Sequence, residues 1–317
     1  MDNHRVVGSI LATLSLVSLC YGLPVLASDP SVGTATFNFL KITSGARFAG
    51  LAEVGLGLSG DAACLHHNPA GLASLSVPRI STSYCHYVAG IHTGELSYAR
   101  PYSPGSAWAL GVAFLNAGTM EKMDEFGESQ GEFGSTGLAM AFGYARQFSE
   151  DLTVGGAVKG IYQGIDEYQA HGVAVDVGVQ YQIDPYPVVI AGVIQNLGVQ
   201  TGSFGDEKED LPLRIRAGGL YRILEEKVSV GLDLEKAIDN KFLARVGAEW
   251  WASEQLALRM GYSSSGSDLK TESGGDVLAG FSFGMGLLWQ RYAVDYAVTP
   301  MVDLGWVHRI GFGLGWL

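Results

Sequence analysis

The feature that most constrains this chain is alternation. Over segments of roughly ten residues, every second position is apolar or aromatic and the positions between are Gly, Ala, Ser or charged. In 171–182, Val173, Val175, Val177, Val179 and Tyr181 share one parity, and Ala174, Asp176, Gly178, Gln180 and Gln182 share the other. A strand sends alternate side chains to opposite faces, so such a segment has one greasy face and one small or polar face. A soluble sandwich turns the greasy face inward, whereas a membrane barrel turns it to lipid and lines its lumen with the polar face.

From residue 79 to the end, fourteen segments read as strands: 79–88, 92–101, 106–116, 136–147, 152–163, 170–182, 187–197, 212–222, 227–236, 241–251, 255–262, 276–287, 289–298 and 306–317. The connections sort by length. The long stretches 117–135, 198–211 and 263–275 all follow odd strands, while Tyr102-Ser103-Pro104-Gly105, Ser149-Glu150-Asp151, Asp184-Pro185-Tyr186 and Ala252-Ser253-Glu254 follow even ones. A barrel with short periplasmic turns and long outer loops sorts its connections this way. With 47% hydrophobic residues, 44 glycines and 16% charged residues, the composition favours a large β-architecture over a disordered chain. The expected fold is an all-β transmembrane antiparallel barrel of about fourteen strands. The twelfth connection, at Leu288-Trp289, leaves almost no turn.

The opposite parity carries the charges: Lys159, Asp176, Arg214, Arg216, Asp233, Glu235, Arg245, Glu249, Arg259, Arg291 and Asp295. A Lys or Arg at the lipid midplane costs roughly 2–4 kcal/mol, so these are read as lumen groups. Two roles suit them. They form a mutually neutralising network that stiffens the wall, or Arg214 and Arg216 attract an anionic headgroup passing through. Trp250, Tyr144, Tyr162, Tyr292 and Trp316 have outward parity near strand ends and suit an interfacial girdle. Ile310, Phe312, Leu314 and Trp316 make an apolar terminal strand ending at Leu317.

The N-terminus reads as an export signal over residues 1–27, with Arg5, an apolar stretch from Val6 to Leu23, and Val25-Leu26-Ala27 before a cleavage that leaves Ser28 first. A lipoprotein signal at Cys20 is disfavoured by Leu19 before it. Beyond it, no segment has the ~18 continuous apolar residues that a spanning helix needs. Cys64 and Cys85 are left as either a pair or two independent thiols. Residues 28–78 do not read as barrel. They are rich in small residues, with short helical pieces and an Asn-Pro turn, and suit a plug threaded into the lumen ahead of a barrel over 79–317.

The run Gly45-Ala46-Arg47-Phe48-Ala49-Gly50-Leu51-Ala52-Glu53, the Asp61-Ala62-Ala63 step, Asn68-Pro69-Ala70-Gly71-Leu72-Ala73 and the C-terminal His308–Leu314 segment resemble the PorV/PorQ family. That family is similar in turn to the long-chain fatty acid transporter superfamily. The resemblance implies a fourteen-stranded outer-membrane barrel whose plug contains the motif Asn68, Pro69, Ala70 and Gly71. It implies either a partner role in type IX secretion, with secretion-machinery or exported proteins as partners, or passage of hydrophobic solutes with a fatty-acid-like ligand. Cys64-Leu65-His66-His67 interrupts the usual spacing.

Other motifs carry less. Gly55-Leu56-Gly57-Leu58-Ser59-Gly60 matches a dinucleotide fingerprint without the βαβ context that such a site needs. Cys64, His66 and His67 lack a second cluster to complete a metal site and read as plug packing. The acidic groups Glu121, Asp124, Glu125, Glu128 and Glu132, and Asp206, Glu207, Glu209 and Asp210, read as solvated loop charge. His92, His171 and His308 have no matched nucleophile, so no enzyme and no cofactor are assigned. A net charge of −12 argues against nucleic acid. The expected surroundings are outer-membrane lipid. A transport barrel would place Phe37, Phe39, Phe48 or Leu51 against an apolar ligand, a secretion partner would use the loops at 117–135 and 198–211, and a structural barrel would do neither.

Overall fold

The computed structural model describes residues 34–205, 207–270 and 274–315. The export signal at 1–27 with Cys20, the start at Ser28, Asp206, Trp316 and Leu317 lie outside the described residues. Fourteen antiparallel strands close into a barrel in sequence order, the last pairing with the first. They are β1 Arg79–His86, β2 His92–Ser103, β3 Ser106–Met123, β4 Ser129–Gln147, β5 Leu152–Ile165, β6 Tyr168–Ile183, β7 Val188–Gly202, β8 Arg214–Ile223, β9 Val228–Ala237, β10 Phe242–Trp251, β11 Leu256–Ser263, β12 Phe281–Trp289, β13 Tyr292–Pro300 and β14 Trp306–Gly315.

The alternation decides which face is which. In β6, Val173, Val175, Val177, Val179 and Tyr181 are 38–49% exposed on the outer wall, while Ala174 and Asp176 are buried inside. Leu110, Phe142, Ile190, Leu232, Trp250, Met260, Ile310 and Phe312 extend the apolar outer surface around the barrel. A soluble monomer rarely exposes a contiguous apolar patch beyond a few hundred Å². Lipid is the solvent that such a wall fits. Among the described residues no helix is long and apolar enough to cross a membrane.

Most strand limits differ from the sequence reading by a few residues, β7 running to Gly202 into the stretch read as the 198–211 loop, and the differences at β3, β4 and β12 reshape the barrel. The stretch 117–135 is mostly not a loop: β3 and β4 are 18 and 19 residues long and pair on past two register shifts, leaving only 124–128 as the turn. At about 3.3 Å per residue such strands far exceed an apolar band about 25 Å tall, so this hairpin projects from the barrel. β12 starts at Phe281 rather than 276, because Ser264–Leu269 and Gly274–Leu278 coil as 3-10 turns above the lumen. Its far end runs through Leu288 and Trp289, and the turn to β13 is Gln290-Arg291, with Gln290 at φ 55°. A two-residue hairpin turn of this kind needs a positive φ, and nothing in the alternation marks it.

Residues 34–78 lie against the inner wall. They contain two short helices, α1 (Ala46–Gly50) and α2 (Cys64–His67), and a 3-10 turn at Pro69–Ser74. α1 packs on β12, β13 and β14, and the 3-10 turn packs on β3 to β6. The wall is carved to admit them. A Cβ at Gly178 would overlap Asn68 Oδ1, and one at Gly284 would stand 3.0 Å from Gly50 Cα.

Candidate functional site

Asn68 pins the N-terminal segment. Its Oδ1 accepts the Ala70 N–H at 3.2 Å, capping the 3-10 turn, while Pro69 opens that turn with no N–H to satisfy. Its Nδ2 donates to Leu56 O at 2.9 Å and to Val179 O of β6 at 3.3 Å. Asn68 is 1% exposed, Pro69, Ala70 and Gly71 are buried with it, and a Cβ at Gly71 would crowd Leu58 O and Cys64 Sγ. Short residues are therefore required where the motif has them.

Most of the inward charges of the wall fall into three groups. In the first, Arg214, Arg216 and Arg245 surround Glu235, at 2.6, 3.4 and 2.8 Å, and Arg216 also meets Asp233 at 3.3 Å. Glu53 of the N-terminal segment enters this group, 3.3 Å from Arg214 and 3.5 Å from Arg245, and its carbonyl accepts from Arg216 at 2.7 Å. Ala52 and Glu53 both sit at positive φ, 53° and 70°, which costs about 1–2 kcal/mol each and aims both oxygens at the arginines. Burial by itself would raise the Glu53 carboxyl; Arg245, Arg214 and Arg216 outweigh it and hold the group below its ordinary value. Asp233 accepts the N–H groups of Gly55 and Leu56, at 3.0 and 3.4 Å. The Gly-x-Gly run thus packs against a carboxylate in the lumen.

In the second group Glu249 joins Arg259 (2.7 Å) to Arg47 of α1 (2.9 Å), and Arg259 reaches Asp295 at 2.5 Å. In the third, Lys159 Nζ stands 2.6 Å from Asp176 and 2.8 Å from Asn196 Oδ1, at a bulge where Gln195 and Asn196 together oppose Asp176. Lys41 meets Asp239 at 2.5 Å. Arg291 departs from the sequence reading. It occupies the exposed β12–β13 turn, lies 5.3 Å over the Tyr292 ring and belongs to none of these groups, because strand parity stops applying once the chain turns.

Glu53, Arg47, Lys41 and Glu95 were not singled out from the sequence. Glu95 follows from the parity of β2, in which Thr93, Glu95, Ser97 and Ala99 are buried. Its Oε2 accepts from Ser44 at 3.2 Å, and its Oε1 has no hydrogen-bond partner. Of the apolar residues proposed to meet a ligand, Phe37 and Phe39 pack with Ala139, Ile161 and Leu211, and Leu51 is buried in one cluster with Phe48, Val54 and Leu58. Phe48 stacks on His67 with centroids 3.6 Å apart. Cys64 and Cys85 are both free thiols and both buried. His92 and His308 bond to Tyr84 and Tyr296 across the outer face, and His171 lies against Tyr162.

Two cavities flank the N-terminal segment. One, of about 600 Å³, opens among the long connections and is lined by Lys41, Ala49, Glu53, Asp239, Asp268 and Met301. The other, of about 750 Å³, opens at the short-turn end between α1 and the β12–β13–β14–β1 wall, and includes Phe48, Arg79, Glu95, Arg291, Ala293 and Leu314. Both fall within the usual range for small-molecule sites, about 300–1,000 Å³.

Among solved structures the chain is similar to CymD, a monoaromatic hydrocarbon channel, at 13% identity over 86% of this chain and 97% of that one, with a TM-score of 0.63. It is similar to the Pseudomonas putida toluene transporter TodX at 12% identity over 84% and 96%, TM-score 0.60. A Pseudomonas aeruginosa FadL homologue aligns at 9% identity over 86% and 98%, TM-score 0.57. At such identities the likeness is one of fold, that of the FadL-type outer-membrane barrel. Comparison with curated protein sequences yields no match. Residues 24–184, just over half of the chain, match the profile of an uncharacterised protein family, UPF0164, and the chain belongs to that family.

Proposed function

We propose that this protein is a non-enzymatic outer-membrane channel for small hydrophobic molecules, with residues 34–78 as its plug. The observation that carries the reading is the division of one lumen into an outer and an inner cavity by a segment that is pinned to the wall without being part of it. A solute would enter among the long loops, displace or skirt the plug, and leave at the short-turn end. The hydrocarbon channels and the toluene transporter that share the fold support this reading by analogy. The wall arginines support it also: Arg214 and Arg216 are engaged by Glu53, Asp233 and Glu235, which leaves them poorly placed to draw an anion through.

The test is uptake of labelled toluene by cells of a Gram-negative strain lacking hydrocarbon channels of its own, with and without this protein in the outer membrane. Faster toluene entry with unchanged glucose entry is expected. Entry no faster than in cells carrying the empty vector refutes the channel.

The secretion-partner role implied by the PorV/PorQ resemblance is a second reading, supported by one observation. The β3–β4 hairpin exposes Met120, Met123 and Phe126, the last at 83%, among Glu121, Glu125, Glu128 and Glu132. Deleting 118–131 would then lower surface display of exported proteins while sparing toluene entry; unchanged display counts against it.

A further inference from the structure

The outer wall carries positive charge in few places. Apart from the projecting β3–β4 hairpin, the arginines and lysines that parity turns outward in the described strands are Arg100 of β2 and Arg146 of β4, both exposed at the short-turn end, and Lys236 of β9 at the other. Arg100 and Arg146 flank one feature. Arg100 lies opposite Trp108 in register, Trp108 lies opposite Tyr144, and Arg146 lies opposite Ser106. Tyr102, Trp108, Phe142 and Tyr144 line a groove of about 490 Å³ on the outer wall, and Tyr98 meets the Trp108 ring edge-on at 5.4 Å between centroids. Two strand spacings and a two-residue offset put the two arginine Cα atoms roughly 12 Å apart, with Trp108 between them. Neither arginine has an ion-pair or hydrogen-bond partner among the described residues, although Glu150 and Asp151 follow Arg146 in the next turn. Arg291, exposed at the same end, sits in a turn and lies over the Tyr292 ring.

An outward arginine is costly at the lipid midplane and tolerated at the interface, where aromatic rings also gather, so this arc stands at the level of the headgroups. The short turns face the periplasm, which makes those the headgroups of the inner leaflet. A guanidinium is a bidentate match for phosphate, and an open groove of aromatic rings accepts the first part of an acyl chain. Interfacial arginines anywhere can reach water. These two differ in standing together beside one groove with no carboxylate to neutralise them. From this placement we infer that the outer wall over β2–β4 binds one anionic phospholipid of the inner leaflet, its phosphate between Arg100 and Arg146 and an acyl chain along Trp108 and Phe142. A zwitterionic lipid brings an ammonium with its phosphate and gains less from two unpaired guanidinium groups. The inference needs the barrel to span the outer membrane and is independent of what passes through its lumen.

The experiment uses the full-length protein in detergent micelles, titrated with dioleoylphosphatidylglycerol or dioleoylphosphatidylethanolamine, with bound lipid counted by native mass spectrometry. The phosphatidylglycerol is expected to bind as one copy and about tenfold or more tighter, since each basic residue beside an anionic headgroup contributes about fivefold. The double variant Arg100→Gln/Arg146→Gln should bring it to the level of the phosphatidylethanolamine, and each variant alone should lose about fivefold. Trp108→Ala should weaken both lipids, and Lys236→Gln at the opposite end should change neither. Heat-dependent gel mobility shows that each variant is folded, and the two variants with one substitution carry the test if the double one is not. Equal binding of the two lipids overturns the inference. A preference for phosphatidylglycerol that survives loss of both arginines, or that Lys236→Gln removes as well, overturns it too, and so does unchanged binding in Trp108→Ala.

Discussion

Replacing Asp176 by leucine tests the inside-outside assignment of the whole barrel. Asp176 is fully buried, its Oδ2 stands 2.6 Å from Lys159 Nζ, and its Oδ1 accepts the Asn196 N–H at 2.8 Å. Lys159 is itself only 7% exposed. The substitution strands a buried ammonium, which typically costs 3–5 kcal/mol, and adds an unpaired backbone N–H worth about 1–3 kcal/mol. Val175→Leu, one residue away on the lipid face, should change stability by less than about 0.5 kcal/mol. The assay is guanidinium unfolding of the barrel in detergent, with heat-dependent gel mobility reporting the folded fraction. The double variant Lys159→Met/Asp176→Leu removes both charges and should recover most of the loss, since much of it is the penalty on the unpaired partner. If Asp176→Leu and Val175→Leu unfold within about 1 kcal/mol of one another, the parity argument fails, and the assignment of every other inward charge fails with it.

Gly178→Val puts a branched side chain where Asn68 Oδ1 lies; it should loosen the N-terminal segment, with overpacking costing about 1–3 kcal/mol, whereas Gly160→Ala, with nothing within 4 Å, should not. The readout is Cys64, 1% exposed, its thiol pushed up to about 12 by burial and then by Asp61. Maleimide labelling at Cys64, read by peptide mass spectrometry, should be negligible in the native protein and faster in Gly178→Val. Arg259→Ala should cost up to about 3–5 kcal/mol by leaving Asp295 without Arg259 and Glu249 held by Arg47 alone, while Arg291→Ala in the exposed turn stays within about 0.5 kcal/mol; equal unfolding midpoints would reject that division. Burial holds His66 and His67 below the ordinary value of 6.5, His66 down to about 4, helped by Lys159 and, at His67, by Arg216. Below pH 6.5 the unfolded chain takes up protons that the folded one refuses, so stability should fall from pH 6.5 toward 4. A His66→Gln variant should lose part of that slope in unfolding midpoints measured across the same range.

Much of this molecule is legible from period-two alternation. Because a strand can only send neighbouring side chains to opposite faces, Val173 to Tyr181 declare one wall and Asp176 and Gln180 the other, whatever the distant partners turn out to be. The same rule makes Glu95 readable as a lumen residue, although it stands out less than the paired charges do. Strand ends are another matter. Residues 117–123 and 129–135 read as loop, since Gly, Glu, Lys, Ser and Gln break the apolar alternation there, as befits strands that have left the membrane. The turn at Gln290-Arg291 is set by one positive φ, which put Arg291 outside the wall that its parity had promised.

By itself the sequence determined a fourteen-stranded barrel with a greasy exterior, a charged lumen and an N-terminal segment made of small residues, since each of these is a local property of composition and period. Only the tertiary structure decided which charge meets which. Glu235 lies between three arginines from two strands, Glu53 joins them from 161 residues away in sequence from Arg214, and Glu95 is left buried with one oxygen that has no hydrogen-bond partner. Register and barrel closure fix those pairings, and they depend on the whole chain closing on itself at β1 and β14. No short window of sequence contains that constraint.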